Sequence, residues 1–398
     1  MNILFYLHQF PAIGGIETVT ATLANYFAAK GHAVAIVSHK SKTNADVTVA
    51  LDDKIKTFRM PDVEYVTKRN TVFLHRLIHE LNIDVTVFQD SYAGIEKNLF
   101  SGEMDCVRIV CEHNAPFYLM WQRLLHRSFI VKVLWSLKHP FWKWRRLRQE
   151  RNRRRFLYEK ADRYVLLSNR FFGEFKAVTH LWDIRKLRSI PNPLLPASAR
   201  PVAEKNNEIV FASTLNWDKG VQRVLPLWKR ISSRFPNWRF TIVGDGEMML
   251  WAKRYLVMNG LENVVLEGYK SDCAEYFSRA KVLVYPSSRD GWGLIIVEAM
   301  ANGCVPIAFD SYAAIRDIIN DGENGVLVPA FDEEAFCAGI EEMLSDSAKW
   351  QIMSSAARVK ARTFNISAVG KKWEALFAEL ISESTTQSVD QGHNNAVH

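Results

Sequence analysis

The chain has 398 residues, 48% of them hydrophobic and 24% charged, a globular balance that excludes a disordered chain and a fibrous repeat. At roughly 100–200 residues per domain, it predicts two or three domains and excludes a single small one. The net charge of +8 is uneven: residues 1–200 carry 31 Lys+Arg against 18 Asp+Glu, and residues 201–398 carry 20 against 25, giving +13 and −5. Such asymmetry points to one half meeting an anionic surface, either membrane or nucleic acid.

The N-terminus, MNILFYLHQFP, has no basic lead-in or small-residue cleavage site, and no apolar run approaches the ~20 residues that span a bilayer. A chain neither secreted nor transmembrane is therefore expected. An apolar run at Ile3–Leu7 leads through Gly14-Gly15 into a helical pattern (Val19, Leu23, Tyr26, Phe27) that ends at Lys30-Gly31, and a second run follows at Ala33–Val37. That is a βαβ unit. The glycine pair lets backbone approach a ligand, and the helix points its N-terminus at the same place, although a tight βα turn has the same sequence. Further strand-like runs at Val85–Phe88, Val107–Cys111 and Tyr164–Leu167 predict a parallel sheet covered by helices. His113 follows the run Val107–Cys111, at a carboxyl end where catalytic groups of such sheets tend to lie. A lone histidine is more often structural.

Residues 117–160 hold thirteen Lys/Arg against Glu150 and Glu159, interleaved with Trp121, Trp135, Trp142 and Trp144. Tryptophans with cations such as Arg145 and Arg146 are what an interfacial helix uses on an anionic membrane, at roughly 1 kcal/mol per cation. The competing reading is a solvated helix face with its aromatics in the core. The segment PNPLLPASARPVAEKNN, residues 191–207, reads as a linker. It separates a first domain, 1–190, from a second, 208–383, where strands at Ile209–Ala212, Phe240–Val243, Val264–Glu267, Val282–Tyr285 and Val305–Ala308 restart the alternation. Residues 384–398 are polar and are expected to be a disordered tail.

Two doubly wound domains place a ligand cleft between the carboxyl edges of their sheets. In the second domain, the strand 282–285 runs into Asp290-Gly291-Trp292-Gly293-Leu294 and then an apolar helix carrying Glu298. Free N–H groups near Gly293 and Leu294 can face a phosphate, and two carboxylates beside it suit sugar hydroxyls. A helix-capping aspartate in an ordinary glycine loop is the plain alternative. Lys219, at a strand-to-helix turn, can hold a pyrophosphate as a point charge, or simply be solvated. The five cysteines, Cys106, Cys111, Cys273, Cys304 and Cys337, are scattered without paired ligand spacing, which argues against disulfides and zinc and for a reducing compartment.

Taken together, GGIE at 14–17, EHNAP at 112–116, YEKADRYVLLS at 158–168, IPNP at 190–193, DKG at 218–220, IVGDGE at 242–247, VLEGY at 265–269 and the 290–298 loop followed by EAMANGCVPIA resemble the retaining GT-B glycosyltransferases of family 4. The resemblance implies two Rossmann-like α/β domains, with the last helix packing back on the first. It also implies a nucleotide-sugar donor, a UDP-sugar by family habit, bound chiefly by the second domain, and no metal or other cofactor. It assigns Asp290 to the donor sugar, Glu298 to the ribose hydroxyls, Lys219 to the pyrophosphate, Gly15 beside Gly14 to the donor phosphate, His113 to the transferred sugar and acceptor, and Tyr269-Lys270 to the base. Two departures stand out: Asp290 replaces the usual glutamate, and Thr214 stands where many members have an arginine, leaving Arg289 or Arg223 to supply that charge. The expected activity is metal-independent, retaining transfer of a hexose-type sugar to a lipid-linked or glycan acceptor of cell-surface polysaccharide or lipopolysaccharide. Its expected place is the cytoplasm, at the inner face of a membrane. A GT-B nucleotide-sugar epimerase and a nucleic-acid-binding protein are the alternatives; the second lacks a recognisable module.

Overall fold

In the computed structural model the chain forms two parallel α/β sheets. The structure describes all residues except 13, 42–48, 91–93, 103, 117–139, 196–199, 201–203 and 396–398, together with the backbone alone of 90, 140–143 and 384–395. The first sheet contains β1 (Asn2–Gln9), β2 (Ala33–Lys40), β3 (Lys56–Arg59), β4 (Val85–Asp90), β5 (Val107–Glu112), β6 (Arg163–Leu166) and β7 (Leu187–Ser189), in the order β3-β2-β1-β4-β5-β6-β7. The second contains β8 (Asn206–Ala212), β9 (Arg239–Val243), β10 (Val264–Gly268), β11 (Ala280–Tyr285), β12 (Val305–Asp310) and β13 (Val326–Pro329), in the order β10-β9-β8-β11-β12-β13. Parallel strands require helical crossovers on both faces, so the central strands read as continuous apolar runs such as Ile3 to Leu7.

Both orders reverse at one point, beside β1 in the first sheet and beside β8 in the second, which is where a doubly wound sheet opens a crevice at its carboxyl edge. Phe5, Phe27, Phe88, Tyr164 and Phe175 fill the first core, and Phe211, Trp228, Phe240 and Phe309 fill the second. The helix Ile366–Asn395 returns to the first domain. Phe377 packs on Phe27 with ring centroids 5.3 Å apart, Tyr26 donates to Glu374 at 3.2 Å, and Arg163 and Arg188 pair with Glu379 at 2.7 and 2.5 Å. Its backbone stays helical to Asn395, where the composition predicts a disordered tail from Ser384. Extending a docked helix avoids the cost of nucleation, so polar residues continue it. β8 starts at Asn206, and Leu194 donates to the Phe364 carbonyl at 2.6 Å.

Candidate functional site

A cleft of about 650 Å³ lies over the two switch points. From the first domain it is lined by Gly14, Gly15 and His113; from the second by Thr214, Lys219, Tyr269, Lys270, Asp290, Gly293, Leu294 and Glu298. Residues separated by more than 280 positions in sequence meet there because each follows the carboxyl end of a strand. The helices Gly15–Ala29 and Leu294–Ala301 direct their N-termini into this space, and a Cβ on Gly15 would lie 3.4 Å from Leu294 Cδ1. Two sets of free N–H groups and two positive dipole ends thus face one another, an arrangement suited to an anion. Gly293 permits the second turn: its φ of 96° is left-handed, and a Cβ there would sit 2.6 Å from the Tyr312 hydroxyl.

Lys219 and Asp290 form an ion pair at 2.5 Å. Tyr285, the last residue of β11, donates its hydroxyl to the same Asp290 oxygen and lies 3.3 Å from Lys219 Nζ, while Gly291 N–H donates to the other oxygen at 2.8 Å. Burial pushes the Asp290 carboxyl up, but the Lys219 ammonium and these hydrogen bonds more than offset it and hold the group below the usual carboxylate range. Burial, reinforced by Asp290, pushes the Tyr285 phenol far up, so it remains an O–H donor. Glu298 is pushed up to about 8, first by burial and then by the carboxylate of Asp272. His113 is 7% exposed, and its Nε2 stands 2.5 Å from the Gln89 amide oxygen; an amide oxygen accepts, so the imidazole nitrogen donates.

Two readings of the sequence change. Gly291 does not line the cleft; it abuts the first domain, where a Cβ would lie 1.8 Å from the His113 carbonyl oxygen. Neither Arg289 nor Arg223 supplies the charge left out at Thr214. Arg289 is 6% exposed and bound to Asp218, while Arg223 lies over the Phe331 ring at 5.3 Å and donates to the Pro286 carbonyl at 3.4 Å. Among the described residues, the cations lining the cleft are Lys219 and Lys270, the latter 3.7 Å from Glu267. Sequence reasoning missed Tyr285, Asp272 and Trp292, all in the lining. A phenol ending a strand directly before the glycine loop was the available signal for Tyr285.

Trp121 and Trp135 lie outside the described residues, as does the side chain of Trp142. Trp144 is 54% exposed with Arg148 at 5.3 Å over its ring, and Arg145 and Arg146 are exposed beside it. Farther along the helix Pro140–Lys160, Arg154 is buried against Glu112 at 2.6 Å, and Glu112 also accepts from Tyr164 at 2.7 Å. That end of the basic helix belongs to the core. Among the described residues no helix is long and apolar enough to cross a membrane, and no group of three or more His, Cys, Asp or Glu side chains gathers as a metal site.

Two facing Rossmann-like domains with an anion-ready cleft between them define the GT-B class of glycosyltransferase. Residues 13–194 match the family described as Glycosyltransferase Family 4 and residues 198–360 match Glycosyl transferases group 1, and the chain belongs to the GT-B glycosyltransferases of family 4. It is 23% identical to an uncharacterized glycosyltransferase of Haemophilus influenzae over 94% of this chain and 98% of that protein. It is 24% identical to the capsular polysaccharide biosynthesis glycosyltransferase CapM of Staphylococcus aureus over 49% of this chain and 52% of that one. Matches to several other relatives span less than half of their length. Among solved structures, S. aureus TarM in complex with Fondaparinux, alpha-GlcNAc-glycerol and UDP has the same fold, with a TM-score of 0.74 at 13% identity over 95% of this chain and 100% of that one.

Proposed function

We propose that the chain is a retaining hexosyltransferase that moves a sugar from a UDP-sugar to a lipid-linked or glycan acceptor in cell-surface polysaccharide or lipopolysaccharide synthesis. The observation that carries this reading is the meeting, in one interdomain cleft, of Lys219, Asp290, Glu298 and two helix N-termini. TarM binding UDP and CapM making capsular polysaccharide point the same way. Both matched families are transferases, so the epimerase and nucleic-acid readings give way.

In this reading the diphosphate lies between the helix N-termini and Lys219, Glu298 takes the ribose hydroxyls, Asp290 takes the donor sugar, and Tyr269-Lys270 border the base. The acceptor hydroxyl approaches from the His113 side. Transfer on the front face lets the departing diphosphate help to remove the acceptor proton, and the chemical demand is charge stabilisation on that leaving group. Lys219 and the backbone N–H groups supply it without a divalent ion. The exposed Trp144, Arg145 and Arg146 would rest on the inner face of an anionic membrane.

A thermal-shift panel of UDP-, GDP- and ADP-sugars tests the donor. A ligand at 100 times its dissociation constant adds about 2.7 kcal/mol, so a UDP-sugar should raise the midpoint and the others should not. Turnover should survive EDTA and be largely lost in Lys219→Ala; near-normal turnover by that variant, or loss with chelator alone, contradicts the assignment.

A further inference from the structure

The Lys219 ammonium that the reading above assigns to the diphosphate already has an anionic partner. Its Nζ stands 2.5 Å from Asp290, and both side chains are mostly buried, at 23% and 22% exposure. A diphosphate can take the ammonium only by displacing that carboxylate. Asp290 is built to be left behind: one of its oxygens keeps the Gly291 N–H at 2.8 Å and the other keeps the Tyr285 hydroxyl. A carboxylate that loses a cation but retains two donors stays satisfied in a sheltered site.

We propose that Asp290 is a resident stand-in for the diphosphate on Lys219, exchanged for it when donor binds, while Tyr285 and the Gly291 amide hold the carboxylate in position for the sugar. This rests on the reading of the cleft as a nucleotide-sugar site. The exchange has a direction. With donor bound, sugar hydroxyls replace the ammonium at Asp290, so both partners of the broken pair are compensated. After transfer the sugar has gone, Asp290 accepts from no sugar hydroxyl in place of the ammonium, and re-forming the pair with Lys219 favours release of the nucleoside diphosphate. Asp290 thereby discriminates the donor from its own product, and Tyr285 is a positioning residue for that carboxylate.

The test is titration calorimetry on the full chain with inorganic pyrophosphate and with UDP, using wild type, Asp290→Asn, Lys219→Met and the double variant, with Asp290→Ser as a second substitution if the first does not fold. Asp290→Asn should bind both probes roughly tenfold more tightly, from the release of a sheltered ion pair. In the Lys219→Met background the same substitution should change nothing. Equal or weaker binding by Asp290→Asn overturns the proposal, as does equal tightening with and without Lys219, which would reflect only a lost negative charge. Failure of the underlying reading looks different: neither probe would bind wild type, or Lys219→Met would leave both affinities unchanged.

Discussion

Glu298 is where single-residue chemistry makes the sharpest demand. Its folded-state value of about 8 lies above the ordinary 4.5, raised first by burial and then by Asp272. Between those two values the native state binds the proton and the unfolded chain does not, so stability contributed by the neutral acid is complete below about 4.5 and falls as pH rises toward about 8. Each unit of difference corresponds to on the order of 1.4 kcal/mol. Urea midpoints measured across this range should decline with pH, and Glu298→Gln should flatten the decline. Hydroxyl donors of a ribose favour the ionised carboxylate, so nucleotide binding near neutral pH should release protons, visible as a buffer-dependent heat in calorimetry and absent in the glutamine variant. The residues of this site were legible to different degrees. Lys219, Asp290 and Glu298 each follow a strand-to-helix signal that by itself left a solvated or capping reading open, and the family resemblance singled them out, whereas Asp272 and Tyr285 carry no such signal, because what matters about them is which side chain they touch. Arg289 and Arg223 show the converse: a cation near a motif in sequence is captured by a half-buried carboxylate, here Asp218, or by a ring.

At the scale of elements, the helix Pro140–Lys160 carries two jobs along its length. Its early turns expose Trp144, Arg145 and Arg146, while a few turns later Arg154 is buried against Glu112. Removing one member of a buried pair leaves an uncompensated charge and costs about 3–5 kcal/mol, so Arg154→Ala should lower the urea midpoint sharply. Substituting Arg145 and Arg146 with glutamate should leave that midpoint unchanged and abolish flotation with vesicles of phosphatidylglycerol. Salt-insensitive flotation, or none by wild type, counts against the membrane contact. Charge counting along this segment could not separate the two ends, because the separation is made by what β5 and β6 present to the helix. The strands tell a related story. The runs around β1, β2, β4, β5, β6, β8, β9, β11 and β12 were readable because a parallel strand flanked by others is apolar on both faces. β3 and β7 edge the first sheet, where Lys56–Arg59 is mostly exposed and Leu187–Ser189 has only three residues, so no apolar run marks them; β10 and β13 edge the second, each with only a three-residue apolar run, Val264–Leu266 and Val326–Val328.

For the whole molecule, the question is what sets the distance between the two domains, since the cleft works only if Gly15 and His113 face Lys219 and Asp290 across it. Polar contacts join them at one side: Ser168 and Arg170 of the first domain both bind Asp317 of the second, the arginine at 2.7 Å. A close approach lies at Gly291, whose missing side chain leaves room for the His113 carbonyl. A Cβ there would lie 1.8 Å from that oxygen and 3.2 Å from Asn114 Cα, both backbone atoms that cannot rotate away. Gly291→Ala therefore forces the domains apart or displaces the loop that carries Asp290, without touching either hydrophobic core. Its unfolding midpoint should stay close to wild type, transfer should fall by more than about tenfold because a displacement of an ångström removes the alignment of donor and acceptor, and the radius of gyration from solution scattering should rise. Gly173→Ala is the matched control: no atom lies within 4 Å of its Cβ position, and its backbone is not left-handed. Wild-type turnover by Gly291→Ala would show that the two domains do not need this contact to close on substrate.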